Sequence, residues 1–235
     1  NFSEGCGDLV HDSCGMNDGK MIGMAPMSGT SGWVPGPHGA ALAFDGVNDY
    51  VDCGNRREIN IGLSDFTVIA QERSSAGGAY RRIVDKKYDT GYAVFITSAR
   101  IGMSIASLYG NSVNGKLIND DILHQVAVSF HRKSFAKFYV DGASDGTPID
   151  ISSRASTDLS NVTNLWIGYG TTTDGLFSGL ISSVSIYNRA LTAEEIAYLY
   201  AFPWCMYDRA TPAWAQKDYG REARLANHYR QMRAA

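Results

Sequence analysis

Between residues 40 and 187 the chain is a succession of short apolar runs separated by turn residues. Ala41-Leu-Ala-Phe44 is followed by Asp45-Gly46, and Phe66-Thr-Val-Ile-Ala70 follows Ser64-Asp65. Arg82–Asp85, Tyr92–Ile96 and Ile101–Ile105 come next, then Gln125–Phe130 and Phe135–Val140 across the turn His131–Ser134. Asn164–Gly168 and Gly179–Tyr187 complete the set. Several runs alternate with period two, which predicts strands with one buried face. Val126, Val128 and Phe130 fall on one face, and so do Leu180, Ser182, Val184 and Ile186. No helical segment separates these strands, so parallel crossover units are excluded and an all-β antiparallel sandwich is predicted.

Two segments carry helical patterns instead. Thr192-Ala-Glu-Glu195 is a capping box that opens the short run Ile196–Tyr200, and Pro203 stops it. A second helix is predicted over about 213–233, where Leu225, Tyr229 and Met232 recur at helical spacing. Residues 1–39 are rich in Gly, Met and Pro and read as a loop-rich segment with at most one short strand, packed on the sandwich. The expected organisation is therefore 1–39 as that segment, 40–207 as the sandwich, and 208–235 as a basic helical extension.

Composition narrows the classes. With 235 residues, 44% hydrophobic, 19% charged and 25 glycines, the chain is neither disordered, coiled coil nor collagen-like. No apolar run nears the ~20 residues of a membrane helix. The net charge of −3 gives no reason to expect nucleic acid. It is unevenly spread, because the stretch from Arg209 onward holds six basic and two acidic residues. Cys6, Cys14, Cys53 and Cys205 lack zinc spacing and read either as two disulfides of an extracellular protein or as buried thiols. Asn1-Phe-Ser and Asn161-Val-Thr match the glycosylation acceptor pattern.

Four motifs in order resemble a known family. Leu42-Ala-Phe-Asp-Gly-Val-Asn-Asp-Tyr-Val51 and Leu63-Ser-Asp-Phe-Thr-Val68 are similar to the opening of laminin-G-like, concanavalin-A-like jelly-roll domains. Ile122–Val128, continuing to Phe138-Tyr-Val-Asp-Gly142, resembles the family hairpin, and Phe177–Ile196 resembles its close. Leu199–Tyr207 is similar to the end of such domains in bacteria and tailed phages. The resemblance implies two antiparallel sheets packed face to face in a jelly roll. The chain departs from the family at Ala70-Gln-Glu72, Leu123 and Ser182, where the family usually has Trp, Trp and Asp.

Candidate chemistry is sparse. The E-x-D-x-x-E pattern of jelly-roll glucanases, G-x-S-x-G and H-E-x-x-H are all absent. Asp120-Asp121 point to opposite faces of a strand, and Glu194-Glu195 suit a helix N-terminus. His124 is expected at a strand edge from its position in the family motif. Asp45, Asn48 and Asp49 gather three oxygen side chains around a turn, either as a Ca2+ site, as on the rim of many laminin-G-like domains, or as an Asx-type turn. Aromatic residues in or beside loops, Trp33, Tyr80, Tyr88, Tyr109 and Tyr169, are the candidate glycan contacts. Trp214, Arg221, Arg224 and Tyr229 in the extension are the candidates for a protein partner or self-assembly. The reading is a non-catalytic binding or assembly module at an extracellular or virion surface, most simply a phage or bacterial surface protein that contacts glycans. A soluble calcium-dependent lectin-like module is the alternative, with a glycan-cleaving enzyme as the outsider.

Overall fold

The structure, a computed structural model, describes residues 4–25, 28–37, 39–75, 80–88, 90–170 and 175–203, without the side chains of Lys87 and Tyr88. Two antiparallel sheets face each other as a jelly-roll sandwich. The eight-stranded sheet runs β1 (Leu9–Val10), β2 (Gly19–Ile22), β5 (Tyr50–Asp52), β14 (Trp166–Ile167), β7 (Arg81–Tyr88), β8 (Thr90–Thr97), β9 (Arg100–Ile105) and β10 (Leu108–Asn111). The seven-stranded sheet runs β13 (Ala143–Asp150), β12 (Phe135–Val140), β11 (His124–Phe130), β6 (Phe66–Arg73), β15 (Ser178–Tyr187), β4 (Gly39–Asp45) and β3 (Gly32–Gly36). Among the described residues, no helix is long and apolar enough to cross a membrane.

Alternation builds the core as the sequence predicts for the hairpin. Phe66, Val68 and Ala70 of β6 register with Phe130, Val128 and Val126 of β11, and all point inward. Phe66 stacks on Phe130 at 4.2 Å and meets Tyr92 of the opposite sheet at 4.9 Å. Each such buried side chain contributes about 1.5–3 kcal/mol of transfer free energy. The expectation for β15 needs correction. A bulge between Ile181 and Ser183 shifts the register, so Ile181, Val184 and Ile186 face the core and Ser182 turns out to donate to Gln71 Oε1 at 3.0 Å. One inserted residue moves every side chain before it to the other face.

The N-terminal expectation also changes. β1, β2 and β3 lie within residues 1–39 and are strands of the two sheets, so this segment is part of the sandwich. They are too short and too rich in Gly and Pro to show periodicity. Strand β13, Ala-Ser-Asp-Gly-Thr-Pro-Ile-Asp, lacks alternation because it is a largely exposed edge paired with β12 along its length and bridged at Thr147 to Val113. Pro148 in β13 and Pro35 in β3 sit in edge strands, where a missing donor discourages further pairing. One compact unit is Asn1–Ala201 and the other Phe202–Ala235. The helix expected in 208–235 lies outside the described residues.

Helix α1 (Ala193–Ala201) forms where the capping box predicts. Thr192 Oγ1 accepts from Glu195 N–H at 3.3 Å, and Glu195 accepts from Thr192 N–H at 2.9 Å. Arg189 grips Glu195 with both guanidinium ends, at 2.8 and 2.7 Å. The buried side of α1 covers the outer face of the seven-stranded sheet, Ile196 packing with Ile69, Ala127, Tyr139 and Leu191. Gly142, at φ +76° in the turn after β12, leaves room for Tyr200, which a Cβ would strike.

At the end of the sandwich where β7 turns into β8, two buried cations pin the crossing loops. Lys86 is fully buried, and its ammonium donates to Asn55 Oδ1 at 2.9 Å, Asn161 Oδ1 at 3.4 Å and Thr163 O at 2.7 Å. Arg132 donates to the carbonyls of Gly62, Arg154 and Thr157 at 3.1, 2.6 and 2.6 Å. Asn161 of the second glycosylation pattern is spent here as well. Its amide donates to the carbonyls of Lys86 and Thr90 at 3.1 and 2.9 Å, so the nitrogen that would carry a glycan is engaged.

Burial lowers the Lys86 ammonium to about 8. The folded protein therefore releases this proton before the unfolded chain does, and stability gains with pH between about 8 and 10.4. Lys86→Met removes the three hydrogen bonds of the ammonium, leaving Thr163 O without this donor, and is expected to cost about 1–3 kcal/mol at pH 7. Denaturant titrations should show the gap to the wild type widening between pH 8 and 10. A gap that stays constant would show that Lys86 titrates normally.

Candidate functional site

Since α1 lies over one outer face, the outer face of the eight-stranded sheet is where side chains remain available among the described residues. Val51, Val84, Val94, Met103 and Ile167 point inward, which sends their strand neighbours outward. A bulge between Arg82 and Val84 sets the outward residues of β7: Arg82 registers with Phe95, and Asp85 with Ala93 and Trp166.

Around Arg82 these side chains make an aromatic platform. Phe95 is buried beneath Tyr80 and Tyr109, with ring centroids 5.3 Å and 6.4 Å away, and the two tyrosines are 6.0 Å apart. Tyr80 is 40% and Tyr109 47% exposed, so both rings offer surface to a ligand. The Arg82 guanidinium lies 4.6 Å from the Phe95 centroid and 5.6 Å from that of Tyr80, a cation–π arrangement. Its Nε meets Asp85 Oδ2 at 3.4 Å, and both side chains are nearly wholly buried. Gly170 and Gly175 pass so close to Arg82 that a Cβ on either would crowd it. Tyr80 takes φ +58°, a costly conformation for a bulky residue and one found preferentially at binding sites.

A second aromatic group lies further along the same face. Tyr169 packs against Tyr50 at 4.8 Å and Trp166 at 5.4 Å. Beside it, Asn164 donates to both oxygens of Asp52 at 3.0 Å. Asp85, opposite Trp166 in the register, links the two groups through Arg82. The face thus sets exposed aromatic rings beside the half-buried Asn164 amide and Asp52 carboxylate, with the Arg82–Asp85 pair buried beneath: flat apolar faces suit the C–H groups of a sugar, and an amide and a carboxylate suit its hydroxyls.

The structure gathers some of the sequence candidates and separates others. Tyr80 and Tyr109 come together, and Tyr169 joins the second group. The side chain of Tyr88 lies outside the described residues, as do Trp214, Arg221, Arg224 and Tyr229. Trp33 is buried, its Nε1 donating to Gly7 O at 2.8 Å, and presents no surface. Phe95, Arg82, Asp85, Tyr50 and Trp166 were not candidates. Their outward direction follows from alternation with Val84, Val94 and Ile167, a signal that the β7 bulge blurs.

The turn at Asp45 is occupied by its own backbone. Asp45 Oδ1 accepts from Val47 and Asn48 N–H at 2.7 and 3.3 Å, while buried Asp49 accepts from Asp45 N–H at 2.9 Å through Oδ2. Among the described residues no three His, Cys, Asp or Glu side chains are placed to hold a metal ion. Among the described residues Cys6, Cys14 and Cys53 are not bonded to one another, so two disulfides are not formed, and of the three only Cys53 is the buried thiol of the other alternative, Cys6 and Cys14 being exposed. Burial pushes the Cys53 thiol up to about 12.

A cluster of ionisable groups closes the end of the sandwich where β6 finishes. His124 is buried, with Nδ1 2.9 Å from Asp141 Oδ2 and Nε2 3.1 Å from Asp120 Oδ1. Lys116 reaches Asp141 at 2.7 Å. Glu72, opposite His124 in the register, is fully buried, and neither of its oxygens meets a donor in full hydrogen-bonding geometry. Burial drives its carboxyl well above the ordinary range, eased by the nearby Ser74 hydroxyl and reinforced by the charges of Asp120 and Asp141. Burial opposes ionisation of Asp141 too, but Lys116 and His124 outweigh it and hold that carboxyl low. Carboxyls displaced in opposite directions are the hallmark of acid–base pairs. Glu72 has no exposed surface, however, and no substrate atom reaches it in this conformation.

A family model described as the concanavalin A-like lectin/glucanases superfamily, of laminin-G type, matches residues 45–197. A comparison with curated protein sequences gives no match. Among solved structures, the binding domain of Paraclostridial Mosquitocidal Protein 1 superposes with a TM-score of 0.64 at 15% identity, covering 84% of this chain and 52% of that one. Domain 4 of AbnA, an extracellular arabinanase of Geobacillus stearothermophilus in complex with arabinotriose, gives 0.60 at 17%, covering 81% and 92%. Trypanosoma rangeli sialidase gives 0.58 at 15%, covering 83% of this chain and 31% of the enzyme. The chain thus spans about half of the mosquitocidal binding domain and a third of the sialidase.

Because Glu72 is raised, stability is greatest below the unfolded carboxyl value near 4.3 and falls as pH rises through the folded one. Glu72→Gln removes that titration. Its melting temperature relative to the wild type is expected to rise by a few degrees between pH 4.5 and 8. A difference independent of pH would show Glu72 ionised in the fold.

Proposed function

Because this chain belongs to the concanavalin A-like lectin/glucanase superfamily, we propose that it is a non-catalytic glycan-binding module acting at an extracellular surface. The observation that carries this reading is the Tyr80–Phe95–Tyr109 platform around Arg82, with two exposed rings on a rigid sheet. Rigid aromatics bind with little loss of side-chain entropy, and the buried Arg82–Asp85 pair beneath holds the Phe95 and Tyr80 rings in place. The binding domains with a similar fold support it, one of them seen with arabinotriose. A bacterial or phage surface is the narrower setting, with the basic stretch around Trp214, Arg221, Arg224 and Tyr229 attaching the module to a protein partner. Calcium belongs to this reading only as a rim ion at Asp45, Asn48 and Asp49. A melting rise in millimolar calcium that disappears in Asp49→Ala would bring it in.

Titration calorimetry with a panel of neutral oligosaccharides, arabinotriose included, tests the platform. At least one should bind, and Tyr109→Ala should weaken it tenfold or more, about 1.4 kcal/mol, with little change in melting temperature. Binding unaffected by Tyr109→Ala and Tyr80→Ala would remove the platform as the site. Turnover of any bound oligosaccharide would overturn the non-catalytic reading.

A further inference from the structure

The opposite end of the molecule carries a second concavity with different chemistry. Six residues of β7 separate Tyr80 from Lys86, about 20 Å at the usual strand rise. There, a hollow of about 340 Å³ opens over the loop between β5 and β6, lined by Arg57, Glu58, Asn60, Ile61, Ser64 and Asn188. Ile61 is buried and forms an apolar patch in its lining.

The loop is held far more firmly than an exposed connection requires. Asn60 donates to Asn55 Oδ1 at 3.0 Å and to Arg56 O at 3.1 Å, and accepts from Asn161 N–H at 3.2 Å. Asn55 in turn receives the Lys86 ammonium, and Gly62 receives Arg132. Tyr92 donates to Ile59 O at 3.2 Å from the core below. Two buried cations and a core tyrosine thus fix the backbone of the hollow. The side chains of Arg57, Glu58, Ser64 and Asn188 make no hydrogen bond or ion pair with other described residues. A rigid frame with unspent donors and acceptors around a cavity is the arrangement of a preorganised polar site.

We propose that this hollow is a second binding pocket, separate from the aromatic face, for a small neutral polyhydroxy ligand the size of one sugar residue. Its lining pairs one guanidinium with one carboxylate, so a charged ligand would meet a like charge. The Asn188 amide and the Ser64 hydroxyl complete a set of donors and acceptors that suits hydroxyl groups, which do both. The volume sits at the lower end of the ~300–1,000 Å³ usual for ligand pockets. The pocket extends the glycan-binding reading and stands on different residues, so either can fail alone.

The test is NMR shift perturbation on the full 235-residue chain with free glucose, galactose, mannose and arabinose as probes. The expected result is saturable shifts at the amides of 57–64 and 188 with at least one probe. They should persist in Tyr109→Ala and weaken tenfold or more in Arg57→Ala and in Glu58→Ala, whose exposed side chains leave the fold intact. Shifts confined to β7–β10, no shifts at 57–64, or shifts that survive both pocket variants would overturn the proposal. Glucuronate binding as tightly as glucose would overturn the assignment to neutral ligands.

Discussion

Phe66 stacks flat on Phe130 within one sheet and meets Tyr92 of the other, and around this three-ring contact the sheets close on each other. Strands with one apolar face must bury it, and the two inner faces are the large apolar surfaces available. Once they are paired, alternation sends every other side chain outward. The outer face of the seven-stranded sheet receives α1 through Ile196 and Leu191. The other sheet keeps its outward rings and charges, among them Tyr80, Arg82, Tyr109 and Tyr169. The candidate site is thus a consequence of how the core is divided.

The two ends of the sandwich solve the same problem in different ways. Where loops cross the rim, backbone and side-chain oxygens lose water and must be met by something. At one end Lys86 and Arg132 bring positive charge to amide and carbonyl oxygens, and the loop between β5 and β6 becomes rigid as a result. At the other, His124 and Lys116 lie against Asp120 and Asp141, and Glu72 is left buried behind them. The first end leaves polar groups free around a hollow. The second spends its groups on one another, and so reads as architecture despite holding the residue types of an acid–base site.

The strands of the central hairpin and the capped helix were legible because each carries a complete local signal. Val126, Val128 and Phe130 alternate without interruption, and Thr192 and Glu195 satisfy each other three residues apart. The face of β15 was misread because a bulge at Ser182 is silent in the sequence. β13, β1 and β3 were missed because an edge strand needs only a partner, not a pattern, and β2 because four residues are too few to show one. Tyr80, Tyr109 and Tyr169 could be named as loop-side aromatics. That Tyr80 and Tyr109 share one platform with Phe95 and Arg82, while Trp33 is buried, depends on contacts between strands far apart in sequence.

What the sequence determined by itself is the fold class, since period-two patterns, turn residues and a capping box act over a few residues and need no distant partner. What only the tertiary structure decided is function-bearing geometry. It placed Tyr80 and Tyr109 on one platform, Asp45 against the N–H groups of its own turn, Asn161 against Lys86, and Glu72 away from solvent. Each depends on register, on bulges and on which face another element covers, and these are set by packing between residues as far as well over a hundred positions apart.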